Sequence, residues 1–266
     1  MENKIFNQDY NKYWKTRVEK TIDGSKVPDN EVVENLIMEL KINRDDRVLD
    51  LGCGYGRIFN ELSKYSDKIC GIDIDMSMVN DSSSFNYHSL HNASAEQTRF
   101  PDNYFDRVIA LGVFDVVDQE GAIFELGRIL KLGGIGMFTG KNINYFENDE
   151  AAFVAERNAK LKDFPNHFTD IPMLMANLAK FGFSCEKLFV YLRRGDFGEN
   201  KKVIPTNETT TPFYEYCIYL KKEKSIILKP NVKFVEEFSQ TALMKCKASK
   251  EKEVMDFFRK HKENDH

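Results

Sequence analysis

The sequence lacks an excess of positive charge, a paired-cysteine pattern and a long apolar run. Its 38 lysines and arginines face 42 aspartates and glutamates, a formal net charge of −4 at pH 7. No overall basic field therefore draws the chain to nucleic acid or to an anionic membrane. The 5 cysteines (Cys53, Cys70, Cys185, Cys217, Cys246) are odd in number and widely spaced, with no C-x-x-C pair. That argues against a zinc-thiolate set and a disulfide framework, so no metal site is expected and the thiols read as the reduced residues of a cytoplasmic protein. No apolar stretch approaches the ~20 residues of a membrane-spanning helix, and the start, Met1-Glu2-Asn3-Lys4, opens no signal-type apolar region. Internal repeats and low-complexity tracts are missing too. A length of 266 residues suits one main α/β core with additions, or at most two small domains.

What the sequence does have is concentrated at Val48-Leu49-Asp50-Leu51-Gly52-Cys53-Gly54-Tyr55-Gly56-Arg57-Ile58. An apolar run ends on an acid and breaks into three alternating glycines before an amphipathic stretch. This is the pattern of a strand, a tight turn and a helix start. Glycine is required there where the backbone takes φ > 0 or where a ligand must approach without a Cβ in its way. The spacing is G-x-G-x-G, which fits neither the dinucleotide fingerprint nor the phosphate loop. A nicotinamide dehydrogenase is disfavoured on that ground.

Further along, Ile69-Cys70-Gly71-Ile72-Asp73 is a second short apolar strand ending in an acid, 23 positions after Asp50. A carboxylate at that distance is placed to accept both hydroxyls of a ribose, although a strand-end aspartate also serves as a helix cap. Then comes Ala93-Ser94-Ala95-Glu96-Gln97-Thr98-Arg99-Phe100-Pro101-Asp102-Asn103-Tyr104-Phe105-Asp106. Arg107 to Gly112 reads as a fourth strand, and Lys131-Leu132-Gly133-Gly134 as a turn before a fifth strand at Ile135 to Thr139.

These stretches together resemble the class I S-adenosylmethionine (SAM)-dependent methyltransferases of small-molecule type. The resemblance spans four strands in order. It implies a doubly wound α/β fold with a seven-stranded, mostly parallel sheet whose seventh strand is antiparallel. Asp50, Gly52, Cys53 and Gly54 would wrap the methionine end of SAM, Asp73 would take the ribose and Ile74 would lie against the adenine. The 93–106 stretch is similar to the family's G-D-A-E-x-L-P-F-P-D-N-S-F-D, but Ser94 stands where the family has the acid that takes the adenine amino group. Adenine recognition would then lean on backbone groups at Ala95 and Glu96, and Leu111 would end the fourth strand near the methyl donor. Residues 1–27 hold aromatics, and there Tyr13, Trp14 and Arg17 match the family's cofactor-closing lid; packing onto the domain is the plainer use of such rings.

The rest of the chain is less family-like. Insertions at 141–168 and 193–212 are expected over the active-site mouth, since ligands bind beyond the carboxyl ends of the strands. Phe114, Tyr145, His167, Arg193 and Arg194 are the candidate substrate contacts, and His167 and Asp115 the candidate general bases. Ser184 to Leu192 reads as the sixth strand and Phe213 to Leu220 as the seventh, with Thr169 capping a helix between the fifth and sixth. The expected division is a methyltransferase domain over 1–222 and a helical extension over 223–266. The function expected from these features is methylation of an oxygen on a small, anionic acceptor (phosphorylated, nucleotide-linked or carboxylate), as in surface-polysaccharide tailoring, by a monomer or homodimer. A SAM-fold protein without catalysis and an N-methyltransferase remain the alternatives.

Overall fold

The computed structural model describes residues 30–161, 164–204 and 212–237. Ten strands are present among them: β1 (Arg47–Leu51), β2 (Lys68–Asp73), β3 (Ser89–Asn92), β4 (Phe105–Ala110), β5 (Leu130–Lys141), β6 (His167–Thr169), β7 (Phe183–Tyr191), β8 (Lys202–Val203), β9 (Glu215–Lys222) and β10 (Val235–Glu237). Eight of them form one sheet in the order β3-β2-β1-β4-β5-β9-β7-β8. The pairings from β3 through β5 are all parallel, and β9 is antiparallel to both β5 and β7. This is the expected architecture with one strand more. The addition is β8, a two-residue edge strand that pairs Val203 with Val190 and Lys202 with Tyr191.

The helices are α1 (Asn30–Met38), α2 (Phe59–Ser63), α3 (Met76–Ser82), α4 (Gln119–Ile129), α5 (Glu150–Leu161) and α6 (Ile171–Asn177). Side chains of a strand alternate between faces, and β1 shows this directly. Leu49 and Leu51 enter the core beneath α4 and α6 with Leu126, Ile129 and Leu174. Val48 enters the core beneath α1 and α2 with Leu36, Ile37 and Leu62. Burial on both faces is why the strands read as continuous apolar runs.

Three details depart from the expected layout. The Lys131–Gly134 turn is a bulge inside β5, where the pairing with β4 skips from Phe105↔Leu130 to Arg107↔Ile135 and Gly133 takes φ +76°. The cap of α6 is Asp170, whose carboxylate accepts from the Met173 N–H at 2.8 Å; Thr169 is instead buried in β6, bonded to Gln119 and Tyr216. The described part of the C-terminal segment, 223–237, contains no helix. It crosses back over the domain, places Phe234 in the main core and pairs β10 with β6. The boundary at 222 thus falls within one packed unit, and residues 238–266 lie outside the described residues.

Candidate active site

The strand order reverses between β1 and β4, and such a reversal opens a crevice at the carboxyl ends of the strands. The glycine turn sits there. Gly52 and Cys53 donate their N–H groups to the Ile72 carbonyl at 2.8 and 2.9 Å, so the turn hangs from the end of β2. Gly52, Gly54 and Gly56 have φ of +74°, +55° and +84°. A Cβ on Gly52 would meet Val113 at 2.3 Å and one on Gly56 would meet Phe85 at 2.4 Å, whereas one on Gly54 would meet nothing within 4 Å among the described residues. Two glycines therefore serve packing, while the middle one has its N–H taken by Asp73 and its carbonyl by Ser82 and presents only a face free of a Cβ.

Asp73 is clamped against the turn. Its Oδ2 accepts from Gly54 N–H at 3.0 Å and its Oδ1 from Asp75 N–H at 2.9 Å. Each oxygen keeps a further lone pair for a hydroxyl. Asp75, not Asp73, caps α3, through Ser77 N–H at 2.8 Å. The cap alternative for Asp73 is thereby excluded. Ile74 is 49% exposed, an apolar surface beside the carboxylate. Asn92 fixes this corner by donating to the carbonyls of Asp73 and Ile74 at 3.1 and 2.8 Å, a support that sequence reading missed.

The remaining cofactor candidates divide. Ser94 is partly exposed and Ala95 is buried. The Glu96 carboxylate accepts from Asp118 N–H at 2.9 Å and so ties the start of α4, which leaves only its backbone for adenine. The loop is held by Glu125, which accepts from the Thr98 N–H and hydroxyl at 2.8 and 2.6 Å and pairs with Arg128 at 2.7 Å. Leu111 is half-buried, and a Cβ on Gly112 beyond it, at φ +71°, would meet nothing within 4 Å among the described residues. Cys53 is buried, its thiol pushed up by desolvation and by the charges of Asp50 and Asp73. Asp50 lies beneath the turn and accepts from the Tyr87 hydroxyl at 2.7 Å. Tyr13, Trp14 and Arg17 lie outside the described residues. The Cβ-free faces of Gly54 and Gly112 and the half-satisfied Asp73 carboxylate fit a nucleoside with a charged tail.

A second polar group lies at the carboxyl ends of β4 and β5 and the amino end of the antiparallel β9. Asp115, on the 3₁₀ turn Phe114–Val116, pairs with Lys141 at 2.6 Å. The Lys141 ammonium also donates to Asn166 Oδ1 at 2.6 Å. Glu215 stands opposite Lys141 in the β5–β9 register and has no hydrogen bond to its carboxylate among the described residues. Burial pushes it up to about 7, with Arg194 and Lys141 opposing and Asp115 and Asp149 adding to the rise. His167 is half-buried on β6, and its Nδ1 finds no partner among the described residues.

Two expected substrate contacts are not on this surface. Phe114 is buried against Phe138. Tyr145 is buried between Phe168 and Tyr214, and its hydroxyl donates to Glu156 at 2.5 Å. Apolar area after β4 and in the insertion went into packing. Arg193 and Arg194 are also engaged: Arg193 lies over Phe146 at 4.6 Å and donates to Asn148 at 2.7 Å, and Arg194 donates to the Tyr214 hydroxyl at 3.1 Å. These bonds hold the start of the loop after β7 against the 144–149 segment. Sequence reading missed Lys141, Asn166 and Glu215; an acid opening an apolar aromatic strand was the one available signal for Glu215.

Residues 49–138 match the family model described as a methyltransferase domain. The chain is 36% identical over 108 residues to the ubiquinone/menaquinone biosynthesis C-methyltransferase UbiE of Erwinia tasmaniensis, covering 35% of this chain and 41% of the relative. It is 29% identical over 124 residues to the sterol 24-C-methyltransferase of Aspergillus fumigatus, covering 43% and 33%. The chain spans less than half the length of these curated relatives. Among solved structures, the geranyl diphosphate C-methyltransferase of Streptomyces coelicolor, in complex with S-adenosyl-L-homocysteine, superposes with a TM-score of 0.55 at 15% identity over 71% of this chain and 77% of that one. Taken with the strand order and the glycine turn, the match over residues 49–138 supports a class I S-adenosylmethionine-dependent methyltransferase domain in this chain.

Proposed function

We propose that the chain transfers the methyl group of SAM to an oxygen of a small molecule held over Asp115, Lys141, Asn166 and Glu215. The observation that carries the cofactor half is the Asp73 carboxylate, held by the Gly54 and Asp75 N–H groups with hydrogen-bonding capacity to spare. When bound, the sulfonium supplies an already activated methyl group, so the protein has to align a nucleophile and exclude water. Asp73 takes the ribose hydroxyls, and Gly52, Cys53 and Gly54 line the methionyl end. Ile74 and the backbone of Ser94, Ala95 and Glu96 hold the adenine, with Tyr13, Trp14 and Arg17 as the lid.

The acceptor half rests on the second polar group. Glu215, with a proton affinity near neutrality and no carboxylate hydrogen bond among the described residues, suits a general base better than Asp115, whose carboxylate already holds Lys141. His167, next to Asn166 in the chain, has a buried Nδ1 without a hydrogen-bond partner among the described residues. The Lys141 ammonium favours an acceptor that turns anionic as its proton leaves, such as a hydroxyl on a phosphorylated or carboxylated metabolite; a sugar precursor of a surface polysaccharide is one such molecule. A carbon acceptor is the second reading, favoured by the C-methyltransferase names of the relatives. An open groove lined by Ala151, Val154, Ala155 and Phe164, with Arg194 on its wall, supports an apolar acceptor tail under either reading.

Calorimetric titration with SAM and with S-adenosylhomocysteine tests the cofactor half, and micromolar binding of both is expected. Failure of both to bind would leave a SAM-fold protein without catalysis. Transfer of isotopically labelled methyl to hydroxylated and to carbon acceptors, with the product read by NMR, separates O–CH₃ from C–CH₃. Labelled C–CH₃ product alone would overturn the oxygen assignment.

A further inference from the structure

The innermost charged groups of the cofactor seat are two carboxylates with a phenol against one of them. Asp50 is 2% exposed at the end of β1, directly beneath the glycine turn. Asp73 ends the neighbouring β2, where the parallel register carries Leu51 onto Ile72. Neither acid forms an ion pair among the described residues. The groups that face Asp50 are Tyr87, which donates to it, Asp73 from β2, and Arg57 and Cys53 from the turn, while β4 presents Ile109. Two like charges in a poorly solvated site retain a proton between them until a cation arrives. Burial accordingly raises Asp50 to about 7, with Tyr87 and Arg57 opposing and Asp73 adding.

The two forms of the cofactor differ in the charge they bring. SAM carries a sulfonium, and its demethylated product carries a neutral thioether in the same place; their amino and carboxylate groups are identical. Resting on the cofactor reading above, we infer that Asp50 reads this difference, releasing its proton to solvent when the sulfonium form binds and keeping it when the thioether form binds. Asp50 is a positioning charge, buried under the turn and acting through the field of the site. Its consequence is a proton-linked preference: the affinity for SAM relative to the product rises with pH through neutrality. At acid pH the seat loses its preference for the charged donor.

The sign follows from the linkage of protons and ligand. A ligand that favours the carboxylate form binds more tightly as pH rises towards the pKa of the free site and levels off above it. With a free-site value near 7, the ratio of SAM to product affinity is expected to rise roughly tenfold between pH 5.5 and 7.5. The amino group common to both ligands cancels in the ratio.

The test is calorimetry of the whole chain with SAM and with S-adenosylhomocysteine across pH 5.5 to 7.5, in buffers of different ionisation enthalpy so that released protons are counted. SAM binding is expected to release up to about one proton more than binding of the product does. Asp50→Asn keeps the bond from Tyr87 and is expected to flatten the ratio. Tyr87→Phe removes a bond that lowers Asp50, and is expected to move the rise to higher pH without abolishing it. A constant ratio in the wild-type chain, with both ligands binding, would overturn the inference and leave the cofactor reading intact. Binding of neither ligand would overturn both.

Discussion

At the scale of single residues, the site is built from groups whose hydrogen bonds leave something over. Asp73 is bonded by two backbone N–H groups and still has capacity for two hydroxyls. Hydrogen bonds to a charged group contribute about 1.5–3 kcal/mol each. Asp73→Ala is therefore expected to weaken SAM binding by roughly a hundredfold while the fold persists; an unchanged dissociation constant would remove the ribose assignment. Gly52 tests the turn rather than the ligand. Its φ is +74°, and a Cβ added there would stand 2.3 Å from a Val113 methyl, so Gly52→Ala must both strain the backbone and displace Val113. Loss of SAM binding together with a fall in melting temperature is the expected result, and full retention of both would show that the turn adapts. Glu125 is the structural counterpart: buried, accepting from Thr98 and paired with Arg128, it fixes the loop that carries Ser94. Glu125→Ala should cost on the order of 2 kcal/mol, read by chemical denaturation, since it strands the buried Thr98 N–H and takes one partner from Arg128, which keeps Asp102 and the Phe100 carbonyl.

At the scale of elements, the part of the fold that was legible is the part whose signal is local. Strands β1, β2 and β4 are buried on both faces, and a run of apolar residues ending in an acid or a glycine announces that without knowledge of their neighbours. The two-residue β8 and the three-residue β6 and β10 have too few positions to show any period, and only tertiary pairing makes them strands. Phe114 and Tyr145 looked like ligand contacts because aromatic side chains serve packing and binding equally well; what decides is how much of each is covered, which is a property of the assembled core. Glu215 was illegible for the same reason, its protonation being set by burial. The C-terminal segment also shows the limit of local reading. Charged sequence with scattered apolar residues suggested helix, yet Phe234 enters the core at 2% exposure against Phe181, ring centroids 5.9 Å apart. Removing such a buried ring costs about 3–5 kcal/mol. Phe234→Ala is expected to destabilise the whole domain by that order and to raise hydrogen exchange along β10 and β6 first. A change confined below about 1 kcal/mol would mean that β10 is an ornament on a core complete without it.

At the scale of the whole molecule, the carboxylates fall into two sets that pull stability in opposite directions with pH. Against the cost of their partial burial, Asp106 is held below the ordinary carboxylate range by Lys131 and the Arg47 N–H, Asp118 by the Gly121 N–H, and Glu125 by Arg128 and Thr98. Their stabilisation is present above the unfolded value of about 4 and is lost as pH falls through their lower folded values. Asp50 and Glu215 are raised to about 7 by burial. Their contribution is complete below the unfolded value and disappears as pH rises through neutrality, because the folded chain then has to carry buried charge that the unfolded chain carries in water. The unliganded protein should therefore be most stable in weak acid, near pH 5. Asp50 alone, moved by about 3 units, accounts for a loss of about 2–3 kcal/mol between pH 5 and pH 8. Denaturant unfolding at pH 5, 6.5 and 8 measures it directly: the midpoint is expected to fall across the series, and Asp50→Asn or Glu215→Gln to reduce the fall. Saturating SAM should recover more stability at pH 8 than at pH 5, because a cation in the seat compensates the charge that neutral pH uncovers. A midpoint that rises from pH 5 to pH 8 would show that these two carboxylates are solvated in the free protein, and the site would then be open to water before any ligand enters it.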